Sequence, residues 1–209
     1  MDTRFLESFF KRFLERRASS DTFHSYKVGE YYPHLIGSCP LKAYFMYTEG
    51  PSIGSRGVRY VNAGIIYHDF ILEAYREMGY EVEVPFALSV GDGIVVRGRA
   101  DALGFGHVVE VKTVSRLPAE PYENHKMQVT LYMKAFGVKE AVFHYVNRND
   151  LTSRFFEFHF DRDYYNRALE RIRLIHSSVL NKTPPDPSPS FPAECSDCPF
   201  RSLCPRYRR

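Results

Sequence analysis

The chain alternates between stretches in which apolar residues recur at helical spacing and stretches in which apolar and polar residues alternate. The first helical stripe lies near the N-terminus and consists of Phe5, Leu6, Phe9, Phe10, Phe13 and Leu14. Ser19-Ser20-Asp21 follows this stripe and predicts the end of a helix. Similar spacing predicts three more helices, over residues 59–78, 122–136 and 162–180.

Alternating apolar and polar positions predict strands between these helices. The strands are expected over residues 80–88, 94–103, 107–114, 141–147 and 154–160. Gly91-Asp92-Gly93 and Gly104-Phe105-Gly106 separate the first three strands, and both triplets favour tight turns. The first three strands are therefore predicted to form an antiparallel meander.

This order of elements predicts an α+β fold in which helices pack against a sheet. Residues 183–192 contain five prolines and cannot form a helix or a central strand, so they are expected to be a stiff linker. The chain then divides into an N-terminal helical region over residues 1–56, a core over residues 57–182, and the linker with a cysteine-rich tail over residues 183–209.

Composition narrows the class of protein without deciding it. The 209 residues are 44% hydrophobic and 25% charged, which suits one compact domain or one domain with a small appendage. The net charge of +3 allows a polyanionic partner but does not establish one. The sequence lacks an apolar run of roughly 18–20 residues and a signal peptide pattern, so a soluble cytoplasmic protein with reduced thiols is expected.

All four cysteines fall into one pattern. Cys195, Cys198 and Cys204 lie close together in the tail, and Cys39 lies far upstream. Disulfides are disfavoured in a reducing compartment, and inert buried cysteines are improbable at this spacing beside prolines. Zinc and an iron–sulfur cluster both fit the spacing about equally well. A metal group held by all four would tie the tail to the N-terminal region.

The predicted meander carries two carboxylates and a lysine. Glu110 and Lys112 are two residues apart on one strand and point to the same face, and Asp101 on the adjacent strand can join them. Two converging carboxylates suit a hard divalent cation such as Mg²⁺ or Mn²⁺. An exposed Glu–Lys salt pair is the plainer interpretation. Val108, Val109 and Val111 flank Glu110 in the same strand and favour a buried central strand, where an unpaired charge would be costly.

A histidine on the preceding helix is a candidate ligand. It belongs to an apolar stripe at three- and four-residue spacing formed by Val61, Ile65, His68, Leu72 and Tyr75. A histidine in such a stripe is commonly a satisfied core residue. Because two carboxylates are predicted nearby, metal ligation becomes the better hypothesis for His68.

The next helix carries polar residues suited to DNA. Gln128 and Tyr132 are four residues apart and share a face, and both can hydrogen-bond a phosphate or a water molecule. The tyrosine ring can also stack on a base. An ordinary amphipathic helix would explain the same pair. His125 and Lys126, one turn earlier, are weaker candidates for holding DNA.

Taken together, these residues resemble a known family. Four motifs occur in the order of the RecB-like branch of the PD-(D/E)XK nucleases: Gly64-x3-His68, Gly98-Arg99-Ala100-Asp101, Glu110-Val111-Lys112 and Gln128-x3-Tyr132. Two cysteine motifs flank them and resemble the CRISPR-associated exonucleases that carry an iron–sulfur cluster: Cys39-Pro40-Leu41-Lys42-Ala43-Tyr44 and Cys195-x2-Cys198-x5-Cys204-Pro205. The resemblance spans residues 38–205.

The resemblance implies a restriction-endonuclease-like core, with a central mixed sheet flanked by helices, over residues 57–182. It implies an iron–sulfur cluster rather than zinc on Cys39, Cys195, Cys198 and Cys204, with [4Fe–4S] preferred to [2Fe–2S]. It assigns His68, Asp101, Glu110 and the Val111 carbonyl to a catalytic Mn²⁺ or Mg²⁺. Lys112 becomes the catalytic lysine together with Asp101 and Glu110, and Gln128, Tyr132 and Lys126 position DNA.

The implied activity is degradation of single-stranded DNA ends, 5′ to 3′, during CRISPR spacer acquisition in antiviral defence. The CRISPR integrase proteins would then be partners, and the oligomeric state stays open. One alternative is a RecB-like repair nuclease working with a separate helicase, since the sequence contains no Walker motif. The other alternative is a non-catalytic iron–sulfur protein that binds DNA.

Overall fold

The computed structural model describes residues 3–22, 26–50, 52, 55–190 and 192–207. Its helices are α1 Thr3–Thr22, α2 Pro33–Ile36, α3 Pro40–Thr48, α4 Ser55–Glu77, α5 Glu123–Phe136 and α6 Arg162–Asn181. Its strands are β1 Glu30–Tyr31, β2 Glu81–Gly91, β3 Ile94–Gly104, β4 His107–Val114, β5 Glu140–Asn147 and β6 Ser153–His159. A 3₁₀ turn, Pro192–Cys195, follows α6. Among the described residues, no helix has the length and apolar character needed to cross a bilayer.

All six strands belong to one mixed sheet. The strand order is β1-β3-β4-β5-β6, and β2 pairs with the other edge of β3. Pairing is antiparallel between β2 and β3, β3 and β4, and β5 and β6, whereas β1 pairs with β3 and β4 with β5 in parallel. The predicted α+β fold, with a central mixed sheet flanked by helices, is confirmed, and so is the antiparallel meander of β2, β3 and β4.

Two strands share one edge of β3 and leave a gap between them. β1 pairs with Val95 and Val96, near the start of β3. β4 pairs with the end of β3, from Ala102 to Gly104. Among the residues that the structure describes, none forms a strand partner for residues 97–101 on this edge, so β3 and β4 separate there. Asp101 lies at the point of separation.

Helices cover both faces of the sheet. α4 packs on one face through Ile71, Leu72 and Tyr75, against Val109 and Val111 of β4. On the other face, α5 packs through Val129 and Met133 against Val108 of β4. Because side chains alternate along a strand, Glu110 shares the face of Val108 and points toward α5.

The segment before α4 is more ordered than its sequence pattern indicates. The sequence pattern predicts no individual helix or strand over residues 26–50, but they form β1, α2 and α3. Both helices begin with proline, at Pro33 and Pro40, which is favourable at the first helical position because the missing N–H has no helical partner there. Tyr31 and Ile36 are almost fully buried against α5 and α6, so tertiary packing stabilises these short elements.

The predicted linker contains no helix or strand over residues 183–190, but its last residue, Pro192, begins the 3₁₀ turn. The helices predicted near the N-terminus and over residues 59–78, 122–136 and 162–180 are confirmed as α1, α4, α5 and α6, with α4 starting earlier than expected. The division of the chain into three regions stays a prediction.

The close approach of Gly37 to α5 provides a test of this packing. A Cβ at Gly37 would lie 2.5 Å from the Asn124 carbonyl oxygen, and backbone atoms cannot move aside cheaply. Gly37→Ala should therefore lower the free energy of unfolding by about 1–3 kcal/mol, measured by denaturant titration. Gly64→Ala is the matched control, because a Cβ there meets nothing within 4 Å. It should raise stability by about 0.5–1 kcal/mol, since Gly64 lies inside α4. Equal effects of the two changes would contradict this packing.

Candidate active site and cysteine cluster

The centre of the candidate active site is a buried carboxylate on β4. Glu110 has 0% of its side chain exposed. Its Oε1 lies 2.5 Å from Nζ of Lys112 in an ion pair, neither carboxylate oxygen has a hydrogen bond of good geometry among the described residues, and Oε2 has no ion-pair partner there either. An exposed Glu–Lys surface pair is therefore the wrong interpretation of this motif.

Asp101 joins Glu110 because β3 and β4 separate at this point. The backbone N–H of Val111 donates to Asp101 Oδ2 at 2.6 Å, where a strand partner would otherwise accept it. Asp101 Oδ1 lies 3.0 Å from Nε2 of His68 on α4. The structure thus brings His68, Asp101 and Glu110 together, and Val111 on β4 bonds to Asp101 on β3.

Burial and charge set the protonation states of the site. Burial, together with the negative charge of Asp101, raises the pKa of Glu110 to about 7, although Lys112 and His68 offset part of the rise. Burial would lower the pKa of Lys112, but Glu110 and Asp101 outweigh it and raise that pKa. Lys112 therefore stays protonated at neutral pH.

His68 is also biased toward its charged form. Burial would lower the pKa of His68, but the hydrogen bond to Asp101 and the charges of Asp101, Glu83 and Glu110 raise it overall. A concentration of negative charge in a poorly solvated place favours a cation. The partnerless oxygen of Glu110 and the oxygen-rich donor set fit a hard divalent cation. Within the described residues, no three His, Cys, Asp or Glu side chains stand ready as a metal-binding group, so the carboxylates would have to turn from their present partners.

Gln128 and Tyr132 lie side by side on α5, as their spacing predicts. The Gln128 side-chain amide donates to the Tyr132 hydroxyl at 2.6 Å, and both side chains are buried. Burial raises the pKa of Tyr132 well above its usual value, and the charges of Glu110 and Asp101 raise it further. The hydroxyl is therefore a neutral hydrogen-bonding group close to both carboxylates.

Two open clefts meet at His68, next to Asp101. One, of about 650 Å³, is lined by side chains that include Tyr32, His34, Phe86, Arg97, Asp101 and Tyr132. The other, of about 500 Å³, is lined by side chains that include Arg17, Asp69, Val111, Lys112 and Thr113. His68, Glu83 and Arg99 line both clefts. A strand passing from one cleft to the other would pass Asp101 in the larger cleft and Lys112 in the smaller one, whereas the buried Glu110 lines neither cleft.

Glu83 is a member of the site that sequence reasoning missed. Its carboxylate lies 3.6 Å from Nδ1 of His68 and 2.6 Å from Nη1 of Arg99. In the sequence it belongs to a regular alternation of glutamate and valine at the start of β2, which is typical of a solvated strand face. No sequence signal separates Glu83 from its neighbour Glu81.

Comparison with known proteins identifies the family. The model of the PD-(D/E)XK nuclease superfamily matches residues 56–205, well over half of the chain. The chain belongs to the PD-(D/E)XK nuclease superfamily. It is therefore a nuclease, and the predicted resemblance is confirmed at this level.

Individual relatives agree with this membership. The chain is 28% identical over 131 residues to the CRISPR-associated exonuclease Cas4 of Saccharolobus solfataricus, and the match covers 60% of each protein. The crystal structure of SSO0001 superposes with a TM-score of 0.69 at 23% identity and covers 100% of this chain and 98% of that one. The alkaline exonuclease LHK-Exo from Laribacter hongkongensis has a TM-score of 0.53 at 14% identity, covering 75% and 90%. At these identities the two structures show the fold alone.

In this PD-(D/E)XK nuclease, Lys126 binds Glu123 and Tyr164 rather than Asp101 or Glu110. Its ammonium donates to Glu123 at 2.9 Å and to the hydroxyl of Tyr164 on α6 at 3.4 Å. Only 14% of its side chain is exposed. A DNA phosphate would have to compete with Glu123 for this cation, and contact between Lys126 and DNA stays a prediction.

The four cysteines line one small apolar pocket. It lies between the start of α3, next to Cys39, and the tail that carries Cys195, Cys198 and Cys204. All four are free thiols, so Cys39, Cys195, Cys198 and Cys204 form no disulfides. Burial raises the pKa of Cys198, and the neighbouring Cys39 and Cys195 raise it further, although Phe200 and Lys42 act against this. The expected meeting of Cys39 with the tail cysteines is therefore seen, whereas the identity of the group they bind stays a prediction.

Hydrogen bonds outside the cysteines also hold the tail. The Glu194 carboxylate accepts from the backbone N–H of Cys39 and from that of Ser190, each at 2.8 Å. Arg171 of α6 donates to the Ser38 carbonyl at 2.6 Å and to Ser190 Oγ at 3.3 Å. We call these contacts of Ser38, Cys39, Arg171, Ser190 and Glu194 the tail clasp. No pattern in the sequence indicates this role for Glu194 or Arg171.

The surroundings of His125 do not favour the expected role in holding DNA. Its Nδ1 lies 2.7 Å from the Tyr145 hydroxyl, which also accepts the N–H of Tyr122 at 3.2 Å. Burial lowers the pKa of His125 to about 2, and the charge of Lys112 adds to the effect. A neutral ring cannot attract phosphate as a cation.

This buried histidine should make stability depend on pH. Unfolded His125 takes up a proton near its usual pKa of 6.5, whereas the folded form resists protonation down to about 2. The contribution of the neutral His125 to stability is therefore fully present above pH 6.5 and is lost as the pH falls below that value. His125→Gln should flatten the loss between pH 6.5 and pH 5, by at most about 1.4 kcal/mol per pH unit. Denaturant titrations at several pH values measure the slope, and His159→Gln, at an exposed position on β6, should leave the slope unchanged. Equal slopes for His125→Gln and the unaltered protein would refute the assignment.

Proposed function

We propose that this nuclease is a metal-dependent exonuclease that degrades DNA from single-stranded ends, 5′ to 3′, and that it carries an iron–sulfur cluster. The main support is the fully buried Glu110 carboxylate, with one partnerless oxygen, beside Asp101 and Lys112. Burying two acids near each other destabilises a fold unless a cation compensates them. A non-catalytic DNA-binding protein would have no need of this arrangement.

The residues that would hold Mg²⁺ or Mn²⁺ are His68, Asp101, Glu110 and the Val111 carbonyl. Oxygen donors with one imidazole suit Mn²⁺ well and Mg²⁺ acceptably. When bound, a divalent cation there would supply Lewis-acid polarisation of the scissile phosphate. Asp101 lines one of the two clefts that meet at His68, and Lys112 lines the other.

Lys112 contributes a positive charge at the reacting phosphate. Its raised pKa keeps the ammonium charged, and Glu110 holds it at 2.5 Å from one carboxylate oxygen. From this position Lys112 can orient the attacking water and offset charge that develops on the phosphate. Tyr132 and Gln128 hydrogen-bond the DNA backbone from the α5 side.

The DNA strand occupies the two clefts. Arg97 and Arg99 line the larger cleft and can contact phosphates, while the rings of Tyr32 and Phe86 provide surfaces on which bases can stack. Such contacts carry little sequence information, so cleavage is expected to be largely independent of sequence. The match to Cas4, a CRISPR-associated exonuclease, supports a role in trimming DNA ends before the CRISPR integrase proteins insert them as spacers.

The four cysteines are proposed to hold an iron–sulfur cluster, [4Fe–4S] in preference to [2Fe–2S]. Four thiols from two distant segments line one apolar pocket, which suits a cluster held by four thiolates. Zinc would use the same donors. The cysteine motifs around Cys39 and Cys195, which resemble the cluster-carrying exonucleases, favour iron.

The catalytic assignment predicts large losses of activity. Glu110→Ala and Asp101→Ala each remove a charged ligand, and each should slow degradation of single-stranded DNA in Mn²⁺ at least about a hundredfold. Lys112→Ala should slow it comparably while leaving Mn²⁺ binding largely intact. Glu157→Ala, an exposed residue of β6, is the matched control and should be fully active.

Folding of each variant is checked by far-UV circular dichroism. Oligonucleotides blocked at the 5′ or the 3′ end report the polarity, and protection by the 5′ block alone is expected. If Glu110→Ala degrades DNA as fast as the unaltered protein, the site is misassigned.

The cluster assignment predicts colour and iron. Protein purified without oxygen should be brown and contain iron and sulfide, and Cys195→Ala should lose the colour and most of the iron. Ser202→Ala, at an exposed tail position, and Glu110→Ala should both keep the colour. Iron and zinc analysis with visible absorption provides the measurement. Colourless protein with one zinc per chain would rule out the iron–sulfur cluster.

A further inference from the structure

Glu83 interrupts the regular backbone of β2. Its φ is +56°, in the left-handed region that side chains with a Cβ avoid. The β2–β3 ladder passes from Val82↔Ala102 to Val84↔Ala100, so Glu83 lies opposite Asp101 without pairing with it. Unfavourable backbone conformations of this kind persist where the surroundings fix them, and they cluster at functional sites.

The carboxylate of Glu83 connects two residues that line both clefts. Oε2 lies 2.6 Å from Nη1 of Arg99, and Oε1 lies 3.6 Å from Nδ1 of His68, which is within ion-pair range. Arg99 is bound at one oxygen, so the other oxygen is left facing the imidazole ring. The positive φ at Glu83 therefore accompanies the placement of its carboxylate next to Nδ1 of His68.

The two nitrogens of His68 face different partners. Nε2 lies 3.0 Å from Asp101 Oδ1, on the side of the two catalytic carboxylates. Nδ1 faces Glu83. A histidine that binds a metal through one nitrogen generally donates the proton on the other to a carboxylate or carbonyl, which fixes the ring and its tautomer. Glu83 stands where that acceptor is required.

We propose that Glu83 is a positioning residue of the metal site. Its carboxylate holds the Nδ1–H of His68 and so presents Nε2 toward the cation shared with Asp101, while Arg99 holds Glu83 in place. This role rests on the proposed function, because it takes His68 as a metal ligand. The left-handed backbone at position 83 is retained because a regular strand would carry the carboxylate away from the ring.

A glycine substitution separates this role from a structural one. Glycine adopts a positive φ freely, so Glu83→Gly should leave the metal-free protein at least as stable as before. It should nevertheless weaken Mn²⁺ binding at least about tenfold, measured by electron paramagnetic resonance titration of metal-free protein. Asp92→Gly is the matched control, because Asp92 also has a positive φ, at +53°, and is an acid in an exposed turn. Its Mn²⁺ affinity should not change.

Two further variants test how Glu83 acts. Glu83→Gln keeps an oxygen acceptor without the charge and should retain clearly more affinity than Glu83→Gly. Equal losses would mean that Glu83 acts only through its charge, and the positioning role would be overturned. Glu83→Asn also tolerates a positive φ but is too short to reach the ring, so it should repeat the loss and replaces the glycine variant if that one does not fold.

Combining substitutions distinguishes failure of this inference from failure of the proposed function. His68→Ala should weaken Mn²⁺ binding, and adding Glu83→Gly to it should weaken binding no further, since Glu83 acts through His68. If His68→Ala has no effect, the proposed ligand set is wrong. If His68→Ala weakens binding but Glu83→Gly does not, only the positioning role of Glu83 is wrong.

Discussion

The candidate site depends on one hydrogen bond, from the Val111 N–H to the Asp101 carboxylate. β3 and β4 are paired from Ala102 onward and separate one residue earlier. In a continuous sheet the Val111 N–H would bond to a backbone carbonyl, and Asp101 would lie on a covered surface. Because the side chain of Asp101 takes the place of the missing strand partner, it is fixed 2.6 Å from the backbone of the strand that carries Glu110 and Lys112. The separation of β3 and β4 thus allows Asp101 to lie beside Glu110, and it also leaves Asp101 accessible from the cleft.

The same arrangement is electrostatically unfavourable in the absence of a cation. Glu110 has no exposure to solvent, and its pKa rises to about 7 although Lys112 and His68 offset part of the rise. Removing charges from water is costly, and these two neighbours do not compensate that cost fully for Glu110. Such unfavourable arrangements persist in catalytic sites because the surrounding rigid structure keeps the side chains in position. Here that rigidity comes from packing of α4 on one face of β4 and of α5 on the other.

The sequence was most informative where chemistry and regular spacing coincide. The two-residue spacing of Glu110 and Lys112, and the four-residue spacing of Gln128 and Tyr132, each correctly predicted a shared face. Glycine-flanked turns correctly predicted the meander. The short elements β1, α2 and α3 could not be foreseen, because burial of Tyr31 and Ile36 against distant helices stabilises them rather than local periodicity. Glu83 escaped notice for a related reason, since its positive φ and its contacts with Arg99 and His68 leave no trace in the alternating pattern.

The tail clasp links segments that leave the ribosome at very different times. Cys39 precedes Glu194 by 155 residues, and the backbone N–H of Cys39 at the start of α3 receives its acceptor only when Glu194 has been synthesised. Arg171 reaches the same segment earlier, through the Ser38 carbonyl. Arg171 can therefore bind the Ser38 carbonyl before the tail clasp is complete, whereas the N–H of Cys39 gains its acceptor only with the tail. Because Cys195, Cys198 and Cys204 follow Glu194 in the sequence, the four cysteines can come together only after nearly all of the 209 residues have been synthesised.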